Sequence, residues 1–285
     1  IRIAFSTDSE KIGLHAIIRN KMIMNHMPFT ASSSFSLTED ENGKTKFIGN
    51  FITDMTSGVN VCDGELKLKG GKLRNYCLHL PLYSGVDEIM LRFDNNSIVS
   101  EYKKYEHKPK ILYYGSSITQ GGCASRADNS YQQLVSEWAG CDHIILGFSG
   151  SAKAEDGMIE YLKNEDCDLF VCDYDHNAPN ADYLEKTHLK LYEAFKSSKK
   201  HENVPVIFLS KPDGLRDEEG ERRFNIIKKT YEYAKKRGDK VALIDGRKIY
   251  PAEAYFHCDV DGCHPTDLGF YFMAKAVYRA VKRFL

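Results

Sequence analysis

No stretch of this 285-residue chain approaches the roughly 20 consecutive apolar residues that an α-helix needs to cross a bilayer. Charge of one sign is also lacking: 39 Lys and Arg stand against 40 Asp and Glu, and the pI is about 6.9. That balance gives no electrostatic case for nucleic acid or an anionic membrane as a partner. Neither an internal repeat nor a low-complexity tract is present, which excludes solenoids and disordered arrays. The paired Cys-x-x-Cys knuckles of structural zinc sites are missing too. Several of the eight cysteines, Cys77, Cys167 and Cys172 among them, lie in or beside apolar strand patterns and read as small core hydrophobes. A chain this long needs no disulfide framework, so reduced thiols are expected. His257, Cys258, Cys263 and His264 form a loose group of ligand types, but their spacing is unlike a knuckle and His264 has another use below. No metal and no organic cofactor is expected. The protein is expected to be soluble. Reduced thiols favour the cytoplasm, while Ile1 already sits inside a strand-like pattern, so a trimmed start leaves export open.

With 42% hydrophobic and 28% charged residues, the composition is that of an ordinary globular protein with room for two domains. Residues 1–107 read as all-β. Ile1 to Phe5 and Ile12 to Ile18 alternate, Arg74 to Tyr83 and Glu88 to Phe93 flank a bend at Ser84-Gly85, and Asp63-Gly64 carries a hairpin signal. Many short strands at regular spacing predict a β-sandwich. The charged stretch 100–110 marks the boundary, with lysines expected to face solvent. From 108 to 285 strand and helix patterns alternate, with helices near 131–139, 156–163, 181–199, 220–237 and 266–284. That rhythm predicts a parallel sheet covered on both sides, a three-layer α/β/α domain. Two loops after strands, 210–216 and 245–263, belong on the carboxyl edge of such a sheet, where reactive groups are placed. Arg126 and Lys211 read as solvated loop charges.

The chemistry centres on Lys110 to Gln133. A buried-strand pattern, Ile111-Leu112-Tyr113-Tyr114, stops at Gly115 and two serines follow. The spacing Gly115-x-Ser117-x-x-x-Gly121 is not the G-x-S-x-G nucleophile elbow. Far along the chain, Asp261-Gly262-Cys263-His264 stands before Pro265 and a long amphipathic helix. A serine hydroxyl is a weak nucleophile at neutral pH and needs a base in hydrogen-bond reach. Histidine titrates in the right range, and a carboxylate holds its tautomer and steadies the imidazolium. Asp259 is a rival for that last role.

Gly115-Ser116-Ser117-Ile118-Thr119-Gln120-Gly121 resembles the first block of the SGNH (GDSL-type) hydrolases, with serine in place of the usual aspartate, and Asp261-x-x-His264 resembles the last. Leu146 to Ser151 is similar to the block that carries the oxyanion-hole glycine, matched by Gly150, and Asn177 matches the asparagine of the third block, although its flanking residues are not kept. Residues 1–107 resemble the jelly-roll-like domain named for a Gly-x-Asp-Leu-Tyr motif, degraded here to Gly58-Val59-Asn60-Val61-Cys62. The resemblance implies an SGNH-hydrolase (flavodoxin-like) domain with Ser117, His264 and Asp261 as its triad. It also implies an oxyanion hole of Ser117 N–H, Gly150 N–H and Asn177. A short-chain, O-acetyl ester of a carbohydrate or small molecule is the expected substrate. An acyltransferase with the same triad, or a decayed carbohydrate-binding protein, is the alternative.

Overall fold

The computed structural model describes residues 1–212 and 217–285. Contacts divide them into a unit of Ile1–Glu106 with Gly121–Ser130 and a unit of His107–Gln120 with Tyr131–Leu285. A single cut near residue 107 therefore misses one excursion, the segment Gly121–Ser130, which groups with the β-rich unit.

The first unit contains β1 (Arg2–Thr7), β2 (Lys11–Ile18), the one-turn α1 (Phe29–Ser32), β3 (Phe35–Glu41), β4 (Lys44–Phe51), β5 (Val61–Lys67), β6 (Arg74–His79), β7 (Val86–Phe93) and β8 (Val99–Glu101). They form a five-stranded antiparallel sheet, β4-β3-β6-β1-β8, and a three-stranded one, β5-β2-β7. Alternating residues of both sheets, such as Ile12, Leu14 and Ala16 from β2 with Phe35, Leu37 and Leu78, enter one shared core, which is the two-sheet β architecture that the pattern predicts.

Asp63-Gly64 is not a hairpin turn. Both residues lie inside β5, where Gly64 pairs with Leu14 and Asp63 with His15. The side chain of Asp63 bonds across the strands to His15 (2.7 Å) and Arg92 (3.0 Å). The tight hairpin is at Asn42-Gly43, between β3 and β4, where both residues take positive φ (54° and 74°) as a two-residue turn of this hand requires. Nor are the connector's lysines all solvated: Lys104 lies 3.4 Å from Asp40, with both side chains largely covered.

In the second unit the order is β9 (Lys110–Gly115), α2 (Ser117–Gln120), α3 (Tyr131–Ala139), β10 (Asp142–Gly147), α4 (Asp156–Asn164), β11 (Leu169–Asp173), α5 (Ala181–Lys196), β12 (Val206–Leu209), α6 (Glu218–Lys236), β13 (Val241–Ile244) and α7 (Asp267–Val281). The strands make one parallel sheet in the order β10-β9-β11-β12-β13. Side chains on β9 alternate between its faces. Leu112 and Tyr114 join a core with residues of α4, α5 and α6, while Tyr113 meets Tyr131 of α3, which stacks on Phe270 of α7. The sheet is thus sandwiched between two helix layers, the expected α/β fold. Helix starts follow local chemistry: Asn180 caps α5 at Tyr183 N–H (2.9 Å), and Thr266 caps α7 at Gly269 N–H (3.3 Å). Strand order reverses direction about β9 and β11, which opens a crevice at their carboxyl ends, and the serine block lies there.

Candidate active site

Two glycines let the backbone close around the serine turn. A Cβ on Gly115 would lie 2.1 Å from the carbonyl oxygen of Asp173, and one on Gly147 only 2.2 Å from the amide nitrogen of Gln120. Side chains cannot be accommodated at either position, so β9, β10 and β11 clamp the turn backbone to backbone. Ser117 is the first residue of α2 and is 6% exposed.

The loop after residue 258 delivers the base. Asp259 accepts the Gly262 N–H (2.6 Å) and shapes the bend, with Gly262 at φ 76°. Asp261 accepts from the backbone N–H of Cys263 (3.1 Å) and of His264 (2.8 Å) through one oxygen, and bonds to His264 Nδ1 (2.8 Å) through the other. Burial works against its charge, but the backbone and ring bonds from His264 hold its carboxyl below the usual range. An ionised Asp261 takes Nδ1–H, so Nε2 of His264 accepts, and it lies 2.8 Å from Ser117 Oγ. Ser117, His264 and Asp261 are thus brought together in one chain of hydrogen bonds. The rival Asp259 is occupied with its own loop.

The expected oxyanion groups are placed less tightly. The Asn177 amide donates to the Phe148 carbonyl (2.8 Å), which fixes its plane. Gly150 is exposed with φ 67° in the turn after β10, and the neighbouring Ser149 N–H is held by Gln120 Oε1 (2.9 Å). Arg126 pairs with Asp128 (3.0 Å) and covers the Phe47 ring, and Lys211 Nζ reaches the Gly262 carbonyl (3.3 Å). Of the loop 210–216, residues 213–216 lie outside the described residues.

Sequence reasoning passed over a second group. Ser116 Oγ bonds to His176 Nε2, and His176 Nδ1 to Asp175 (3.1 Å). Only the side-by-side serines hinted at it. Beneath them Asp173 is fully buried and bonded to Thr119 (2.9 Å) and Tyr131 (3.1 Å). Among the described residues of this unit, Asp173, Asp175 and His176 are the ligand types that converge, whereas Cys258 turns its thiol to the Ala254 carbonyl. No disulfide links the described cysteines, and no described helix is long and apolar enough to cross a membrane.

Comparison with known proteins agrees on the family: residues 107–282 match the GDSL-like lipase/acylhydrolase family, and residues 1–99 match the N-terminal domain of SGNH-hydrolase-type esterases. The chain belongs to the GDSL-like lipase/acylhydrolase family. A structure described as a GDSL-like lipase from Bacteroides ovatus superposes with a TM-score of 0.89 at 25% identity, over 99% of this chain and 84% of that one. The salicylyl-acyltransferase SsfX3 from a tetracycline biosynthetic pathway follows at 0.79 and 15% identity, over 99% and 82%. A family two carbohydrate esterase from Clostridium thermocellum, solved with cellohexaose, gives 0.68 at 12%, over 99% and 91%. No curated protein matches the chain.

Proposed function

We propose that the chain is a serine esterase that hydrolyses short-chain acyl esters, O-acetyl groups above all, on carbohydrates. The observation that carries this reading is the unbroken path from Asp261 through His264 to Ser117 Oγ, with 2.8 Å at each hydrogen bond. Ser117 Oγ attacks the ester carbonyl carbon as its proton passes to His264 Nε2, and Asp261 steadies the imidazolium. The oxyanion is assigned to Ser117 N–H, Gly150 N–H and Asn177. Collapse breaks the bond to the alcohol oxygen, which takes the proton from His264. Water then adds to the acyl-enzyme, gives its proton to His264, and the acid leaves with Ser117 restored. The carbohydrate is taken from the likeness in fold to a family two carbohydrate esterase, and the acetyl group from the family resemblance.

A second reading, transfer of the acyl group to an alcohol other than water, uses the same residues, and the fold of an acyltransferase at TM-score 0.79 favours keeping it in view. One experiment serves both. Hydrolysis of p-nitrophenyl esters of rising acyl length is measured for wild type beside Ser117→Ala, then with acetylated oligosaccharides, and product partition is followed as acceptor alcohols are added. Serine-dependent turnover that falls with acyl length supports the esterase. Ester product outrunning free acid at millimolar acceptor replaces it with the transferase, and turnover that survives Ser117→Ala overturns both.

A further inference from the structure

Ser116 occupies the position where the block usually has an aspartate, and its surroundings explain what it does there. It is 0% exposed, and its Oγ accepts the Ile118 N–H (3.0 Å). The same oxygen is bonded to His176 Nε2. Asp175 backs the ring at Nδ1 and accepts the Lys211 N–H (3.1 Å) through its other oxygen, while Arg223 donates to the carbonyls of Asp175 and Ala178. The directions are therefore fixed from end to end. An anionic Asp175 takes Nδ1–H, Nε2 accepts, Ser116 donates its hydroxyl proton, and the hydroxyl oxygen remains to accept from Ile118.

We propose that Asp175, His176 and Ser116 form a buried hydrogen-bonded chain that positions the nucleophile turn, holding the backbone on both sides of Ser117. The chain starts on the turn after β11 and ends on the Ile118 amide of α2, so it ties the third block to the first. Both ring nitrogens of His176 and both oxygens of Asp175 are committed, which makes the group a relay of bonds rather than a cation cage. The two neighbouring carboxyls are pushed in opposite directions. Burial and the Asp175 charge push Asp173 well up, toward its neutral form, whereas the His176 and Lys211 bonds outweigh burial and keep Asp175 low. Ser116 is a positioning residue, not a nucleophile, because its hydroxyl is sealed from substrate.

The proposal rests on the reading of Ser117 as nucleophile, so its test carries a readout that needs no turnover. Ester kinetics, melting temperature and hydrogen exchange at the Ile118 amide are measured for wild type, Ser116→Ala, His176→Ala, His176→Gln and the Ser116→Ala/His176→Ala double variant. We expect His176→Ala to lower kcat by about 10–100-fold with KM little changed, the scale of a small misplacement of a reacting group. Ile118 exchange should quicken at least about tenfold. His176→Gln, which can still accept from Ser116, should recover part of both, and the double variant should be no worse than Ser116→Ala alone. Unchanged Ile118 exchange in His176→Ala overturns the proposal whatever the kinetics. So do losses that add in the double variant, and so does a fall in kcat that tracks melting temperature with no rescue by Gln. Wild type lacking Ser117-dependent turnover defeats the esterase reading alone, and Ile118 exchange then still decides the role of the chain.

Discussion

Ser116 and Ser117 are neighbours, and each faces an imidazole backed by a carboxylate, yet the two chains of bonds differ in access to water. In the outer chain the side chains of His264 and Asp261 are 17% and 35% exposed; in the inner chain those of His176 and Asp175 are 9% and 5%. The outer histidine comes from a loop bent by Asp259 and Gly262, and the inner one from the turn at the end of a central strand. The same triplet of residue types is thus placed once within reach of solvent and once sealed from it. A hydroxyl reached by substrate can be deprotonated and acylated, whereas a sealed one can only hold its neighbours in place. Residue identity sets what a group can do, and burial selects among those options.

The comparison breaks most sharply at the two serines. Ser117→Ala should remove about 10⁵–10⁶-fold of kcat on a short-chain p-nitrophenyl ester, the scale of deleting a nucleophile in a triad, while Ser116→Ala should lose far less. Equal losses in parallel assays would erase the distinction. Next is the outer carboxylate: Asp261→Asn should cost about 10⁴-fold by favouring the wrong His264 tautomer, read as kcat with melting temperature unchanged. Asn177→Ala should follow at about 10²–10³-fold in kcat if its amide meets the oxyanion, and a change confined to KM would remove it from that role.

Smaller effects sharpen the contrast between the inner carboxyls. Asp175→Asn should cost about 1.5–3 kcal/mol in urea unfolding, because charge-assisted bonds are lost. Asp173→Asn should cost less, because burial and the Asp175 charge already push the Asp173 carboxyl toward its neutral form. The reverse order would contradict the opposite directions in which the two carboxyls are pushed.

His188, outside both chains, is the control for acid sensitivity. Burial lowers it to about 4, although it bonds Thr230 (2.8 Å). The unfolded chain binds a proton near pH 6.5 that the folded one refuses until about 4, so stability is full above 6.5 and falls as pH drops through that window. Between pH 7 and 5 this residue should account for about 2 kcal/mol, and His188→Gln should flatten the decline by that amount.

How much of this was legible in the sequence varies with how local the cause is. Tyr131–Ala139 and the buried strand before Gly115 declare themselves by period and composition, and the helices vary from the expected ends by a few residues because frayed ends depend on caps and packing. The outer chain was legible because Asp261 and His264 sit three residues apart on one loop. The inner chain was not: Ser116 and His176 are 60 residues apart, and no spacing rule links them until β9 and β11 pair. Asp63-Gly64 misled because the dipeptide only permits a turn; pairing with His15 and Leu14 of β2 keeps it extended. Lys104 misled because a neighbouring Asp40 is supplied by a distant strand.

Gly115 and Gly147 have a consequence for anyone who would alter this protein. Their missing side chains let backbone rest on backbone around the serines, so the machinery is cast into the frame while the rim is assembled from loops. A library that randomises loop residues outside Asp259–His264 leaves this frame and the Ser117–His264–Asp261 bonds in place. One methyl group at Gly147 would jam it, whatever the loops become.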